Sequence, residues 1–269
     1  MTLDSKLALL SEVVQAILIG LLVFRKTYRK LPLFFSYNVF LLVVTAGSFF
    51  VQSKFPAPLQ QKIFVVVEII EPLCLFCVLV ELAMSVLSPI RSKLPSWTVF
   101  GVTGIFAVAL AIIWPFAKTP GFAAINDVSQ IQVHVDVATS ALRILFFLAL
   151  AACSQLLSLS WRDRELQIGT GLGFYALVGL SVTLWKMHVG VANQEALTTY
   201  HQLDRILVPG YIAVLGYWAV CFAQDVPERR EFTPKMEKII INMAYAARVS
   251  VDRFDAEKGK KNEDKKNRF

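Results

Sequence analysis

Residues 65–84 read VVVEIIEPLCLFCVLVELAM, a stretch apolar enough to cross a bilayer that nevertheless carries Glu68, Glu71 and Glu81. A charged side chain at the centre of a membrane helix costs roughly 2.5–3.5 kcal/mol even on the lenient insertion scale. The reading of this stretch decides which solvent the chain folds in and where its chemistry lies. If it spans a membrane, the carboxylates at depth face a bundle interior and meet partners there.

The rest of the chain supports a membrane reading. Of 269 residues, 56% are hydrophobic and 17% charged, with a mean hydropathy of +0.57. Soluble domains average about 45–50% apolar and about 25% charged. The excess falls in seven blocks, at about 7–24, 33–52, 61–87, 96–116, 135–158, 168–189 and 205–223, each near the roughly 20 residues a spanning helix needs. Lipid gives the backbone no hydrogen bonds, so each block is expected to be helical. In the fifth, QIQVHVDV alternates like a strand, but Asp127 and Gln130 form a D-x-x-Q capping box that favours a helix from about Val128. The first block is read as a retained span, because Arg25 and Lys26 follow it and no basic cluster precedes it.

Lysine and arginine alternate between the connections. Arg25, Lys26, Arg29 and Lys30 occupy the first loop, Arg91 and Lys93 the third, Arg162 and Arg164 the fifth, and the segment after 224 is dense in both. The positive-inside rule then puts the N-terminus outside and the C-terminus inside. All five tryptophans fall near block ends, as headgroup anchors would. The expected fold is all-α: a multi-pass seven-transmembrane-helix bundle of the plasma membrane over 1–224, an amphipathic helix within 225–254, and a disordered charged tail over 255–269. In the tail, Thr233 can cap a helix with Pro234 at its first position, and Met236, Ile239, Ile240, Met243, Ala247 and Phe254 recur near helical spacing. Residues 233–254 are therefore expected to lie on the bilayer or to meet a cytoplasmic or membrane protein partner. The net charge of +7 sits beside apolar blocks, which speaks against nucleic acid as a partner.

Several chemistries are excluded or weak. Gly171-x-Gly173-x-x-Ala176 has no strand before it, so it is no dinucleotide fingerprint. Cys74-x-x-Cys77 lacks ligand partners or a redox context and reads as core. The seventh block holds no lysine between Arg205 and Gln224 that would attach retinal there, and no nucleophile elbow or phosphate loop is present. No cofactor can be named.

The candidate site is polar and intramembrane. Glu68 and Glu71 lie one turn apart on the third helix, at an expected depth of roughly 10–15 Å from its outer end. Arg143 in the fifth helix is the expected direct partner, with Lys186, His188, Asp204 and Arg205 completing a ligand-binding set in the outer half. Glu81, near the inner end, is expected to reach the interface or Arg25 and Lys26. His134, His188 and His201 are metal candidates by residue type alone, since no ligand spacing supports them. Gly169-x-x-x-Gly173 allows close helix contact, and Pro209–Gly210 should loosen the seventh helix.

Three functions fit this layout. The first is a sensor or receptor-like module that binds a small ligand or ion and signals in trans through its tail. The second is an accessory subunit of a membrane complex, docked through the glycine face and the tail. The third is a membrane enzyme or transporter, disfavoured by the absence of any visible repeat. The seven-helix plan is similar to that of many receptors and bacterial sensor modules in architecture alone, which does not fix activity.

Overall fold

Each apolar block closes its backbone hydrogen bonds on itself. The computed structural model describes residues 3–88, 98–117, 127–154, 160–189, 194–225 and 242. Among them there are seven α-helices and no strand: α1 (Leu3–Phe24), α2 (Pro32–Lys54), α3 (Ala57–Val86), α4 (Thr98–Ile113), α5 (Asp127–Cys153), α6 (Arg164–Val189) and α7 (Gln194–Ala223). Six contain a stretch long and apolar enough to cross a membrane, and the apolar part of α2, Pro32–Ser48, is shorter. The amphipathic helix expected within 225–254 and the charged end at 255–269 lie outside the described residues, save Asp225 and Asn242.

Several helices outrun their apolar blocks. The third begins at Ala57, the sixth at Arg164 and the seventh at Gln194. Hydropathy marks what lipid tolerates, whereas the hydrogen-bond ladder continues into polar sequence until something stops it. The fifth is helical from Asp127, the first described residue of its stretch, through the strand-like alternation; the side chains of the expected capping box lie outside the described residues.

The outward faces are apolar. Val43, Leu73, Phe100, Ile105 and Val220 are each more than half exposed. A surface of this kind is an aggregation hazard in water and suits hydrocarbon. Inside, α1 packs on α2 and α7, α2 on α3, α5 on α6 and α6 on α7, while α3 crosses to α5 and α6. The fourth helix leans on α3 and α5 from the periphery, and of its residues only Phe106 is buried.

Packing is densest where α1, α3 and α7 end and α2 and α6 begin. Phe34 meets the Trp218 ring edge-on at 5.2 Å and stacks on Phe222 at 6.1 Å, and Leu22, Leu82 and Leu166 are fully buried. Helix ends leave backbone groups without intrahelical partners, and side chains from neighbouring helices satisfy them here. Arg25 donates to Ala223 O and pairs with Asp225 at 2.6 Å. Arg164 donates to Cys221 O and to Gln224 O, the latter at 2.7 Å, and its guanidinium lies 4.6 Å from the Phe222 ring centroid. Two arginines thus cap the C-terminus of α7, where the helix dipole favours positive charge.

Glu81 does the converse for α2. Leu31 at its N-cap offers no side-chain cap, and Pro32 supplies no N–H. The N–H groups of Leu33 and Phe34 both donate to the Glu81 carboxylate, each at 2.8 Å. This corrects the expectation that Glu81 reaches the interface or the first-loop basic residues: two orphan donors lie nearer than either. Ser85 next along α3 donates to Glu165 at 2.6 Å, tying the end of α3 to the start of α6.

The glycines of α6 bring its neighbours close. A Cβ on Gly173 would meet Phe147 Cβ at 2.8 Å, and one on Gly169 would meet Leu150 at 3.2 Å, both on α5. Gly171 faces the opposite way, and a Cβ there would collide with the Trp218 indole. The G-x-x-x-G face is therefore consumed inside the chain by α5.

Candidate functional site

The interior opens midway along the helices. A cavity of ≈ 140 Å³ is lined by Tyr37, Leu41 and Thr45 of α2, Glu71 of α3, Arg143 of α5, Leu172 and Tyr175 of α6, and Tyr211, Val214 and Trp218 of α7. Glu71 stands 14 residues after Ala57 and 15 before Val86, about 21 Å from either end at 1.5 Å per residue. Within the apolar part of α3, Lys62–Val86, it lies nine residues from the start, about 14 Å along the helix.

Arg143 and Glu71 are the cavity's two charged side chains. The expected direct ion pair is not made, for no contact within 4.0 Å joins them. Instead Arg143 turns back on its own helix. Its Nη2 donates to Ser140 Oγ at 3.0 Å, and Nε to Thr139 O at 3.4 Å. Among the described residues these are its only acceptors, and Nη1 has none. The guanidinium lies 5.9 Å from the Tyr175 ring centroid, a cation–π geometry. The Glu71 carboxylate lies beside the buried Tyr37 and within electrostatic range of Arg143. The site thus holds opposite charges on facing helices without direct contact, in a medium where an unmet charge is costly.

Aromatic rings form much of the remaining wall. Tyr175 and Tyr211 stand 5.6 Å apart at an interplanar angle of 58°. Trp218 spends its Nε1–H on Gln167 O at 3.3 Å, so its ring faces the cavity with no free donor. This corrects its assignment as a headgroup anchor: it is 3% exposed, whereas Trp114, Trp161 and Trp185 are open at the helix ends. Trp97 lies outside the described residues.

Prolines flank the cavity. Pro72 follows Glu71 inside α3, and Pro209 lies two residues before Tyr211 inside α7. Each removes one intrahelical hydrogen bond and loosens its helix at the cavity's level.

The other expected site residues are dispersed. Glu68 is exposed and does not line the cavity. A three-residue step turns it about 60° from Glu71 around α3, and it lies within range of the like charge of Asp136. Lys186 lies 11 residues beyond Tyr175 along α6, about 16 Å away, and is not in the wall. Arg205 is exposed and also outside it. The side chains of His188, His201 and Asp204 lie outside the described residues. His134, offered as a metal ligand, has another engagement: Nε2 is 2.7 Å from Trp114 O and the two rings stack at 4.2 Å. Among the described residues no group of three or more potential ligands could hold a metal ion.

Sequence reasoning passed over Tyr37, Tyr175 and Tyr211. A usable signal was present. Tyrosine prefers the wet interface of a membrane, so Tyr175 and Tyr211, each more than two turns from both ends of its helix, had reason to face a polar interior. It also passed over a second polar contact, where Gln15 of α1 donates to Asn38 O of α2 at 2.9 Å in a buried setting. In comparisons with known proteins, no family model, no curated protein and no solved structure matches this chain.

Proposed function

We propose that this chain is a seven-span sensor of the plasma membrane, with its N-terminus outside and C-terminus inside, that binds a small polar ligand in its central cavity. The observation that carries the reading is the cavity itself: Glu71 and Arg143 face it from two helices without closing on each other. A purely structural ion pair gains most by direct, hydrogen-bonded contact. A gap between opposite charges at this depth suits a guest. Ligand occupancy would bias the proline-loosened α3 and α7, and α7 leads directly into the basic tail, through which output would pass to a partner in trans. The accessory-subunit reading loses one of its two docking surfaces, because Gly169 and Gly173 are packed against α5.

Orientation is tested by cysteine labelling in sealed cells. An impermeant thiol reagent added outside should reach cysteines placed at Ala57 and Gln194 and spare those at Ser92 and Asn262. Labelling of Asn262 from outside would overturn the topology. Ligand binding is tested by purifying the full chain in lipid nanodiscs and identifying small molecules released on denaturation. A polar metabolite should co-purify near one equivalent and disappear in Thr45→Phe, which fills the cavity without removing a charge. Equal small-molecule content in both proteins would contradict the reading.

A further inference from the structure

From the charges that line the cavity, we infer that its ligand is a small zwitterion of the amino-acid or betaine class; this rests on the ligand-binding reading above. The wall carries one carboxylate, Glu71, and one guanidinium, Arg143, and its other members are neutral. A simple cation would satisfy Glu71 and face Arg143 with like charge, and a simple anion would do the reverse. A ligand with both charges a few bonds apart meets each with its opposite and adds no net charge to the interior.

Each end has a cradle suited to it. A carboxylate accepts from Arg143, whose Nη1 has no acceptor among the described residues and whose planar fork matches two carboxylate oxygens. The ammonium end falls to Glu71 and the aromatic walls. Tyr37, Tyr175, Tyr211 and Trp218 line the same space, and aromatic faces attract ammonium and quaternary ammonium groups. Thr45 and the Tyr37 hydroxyl add neutral polar groups, while Leu41, Leu172 and Val214 admit only a short apolar body.

Size narrows the class further. The cavity measures ≈ 140 Å³, and an apolar cavity of about 150 Å³ holds benzene. The ligand therefore has roughly six to eight non-hydrogen atoms. L-Alanine and glycine betaine fall in this range, and peptides or aromatic amino acids do not. Glu68 and Asp136 lie beyond the wall and bear on the site's field without contacting the guest.

The test measures thermal protection of the full chain in nanodiscs by four probes: L-alanine, glycine betaine, choline and isovalerate. At least one of the two zwitterions should raise the unfolding temperature saturably. Choline, which keeps the cationic end alone, and isovalerate, which keeps the anionic end alone, should bind about tenfold more weakly or worse. Glu71→Gln and Arg143→Gln should each weaken the zwitterion response by about tenfold, the equivalent of one lost charged contact. Should either variant fail to fold, Thr45→Phe keeps both charges and should abolish the response. Choline or isovalerate binding as tightly as the zwitterions would overturn the class while leaving a ligand cavity intact. Absence of any zwitterion response also overturns the class, and the separate co-purification experiment then decides whether the cavity binds anything.

Discussion

Replacing Glu81 with leucine is expected to cost the fold roughly 3 kcal/mol, counted as two backbone hydrogen bonds to a charged acceptor at about 1.5 kcal/mol or more each. The reason is the sequence at the head of α2. Leu31 cannot cap, Pro32 has no N–H, and the next two donors, on Leu33 and Phe34, both end on Glu81. Phe34 is fully buried, so water cannot readily take the place of the acceptor at its N–H, whereas the Leu33 bond is exposed. Glu81→Gln retains one acceptor oxygen of the same reach and removes the charge, so about half the loss is expected. Thermal unfolding of the purified chain in one lipid composition should rank wild type above Gln above Leu. A leucine variant as stable as wild type would mean that Glu81 is not the cap of α2.

The second large effect lies across the cavity. Arg143→Met is expected to destabilise by about 2.5–3.5 kcal/mol, the cost of leaving a charge uncompensated at this depth on the lenient insertion scale. Glu71→Leu alone should cost less, about 2 kcal/mol, because Asp136 remains within electrostatic range of Arg143. Combined, the two substitutions remove both charges and should recover at least about 1 kcal/mol relative to the sum of the single losses. The recovery should be incomplete, since Asp136 loses its cation. Strict additivity would show that the two charges do not sense each other and would remove the physical basis of the site.

Much of the fold was legible in the sequence because hydropathy and helix chemistry are local. The apolar blocks became helices, and the stretch after Asp127 is helical despite its strand-like alternation. The tight α5–α6 contact was written in Gly169 and Gly173. Helix lengths were less legible, since nothing in hydropathy says how far a hydrogen-bond ladder runs into polar sequence. Within the site, Glu71 and Arg143 followed from the cost of charge in hydrocarbon. Their failure to pair directly did not follow, because it depends on Ser140 and Thr139 drawing the guanidinium back along α5. The capping roles of Glu81, Arg25 and Arg164 depend on which helix ends meet, which is tertiary information that charge counting in loops does not carry.

The central claim is that Glu71 and Arg143 hold a guest between them. An experimental density map of the full chain in a lipid bilayer, prepared without added ligand, addresses it directly. The account predicts non-protein density bridging the Glu71 carboxylate and the Arg143 guanidinium, walled by Tyr37, Tyr175, Tyr211 and Trp218. A map in which the two side chains meet in a direct bidentate pair and the cavity has closed would contradict it.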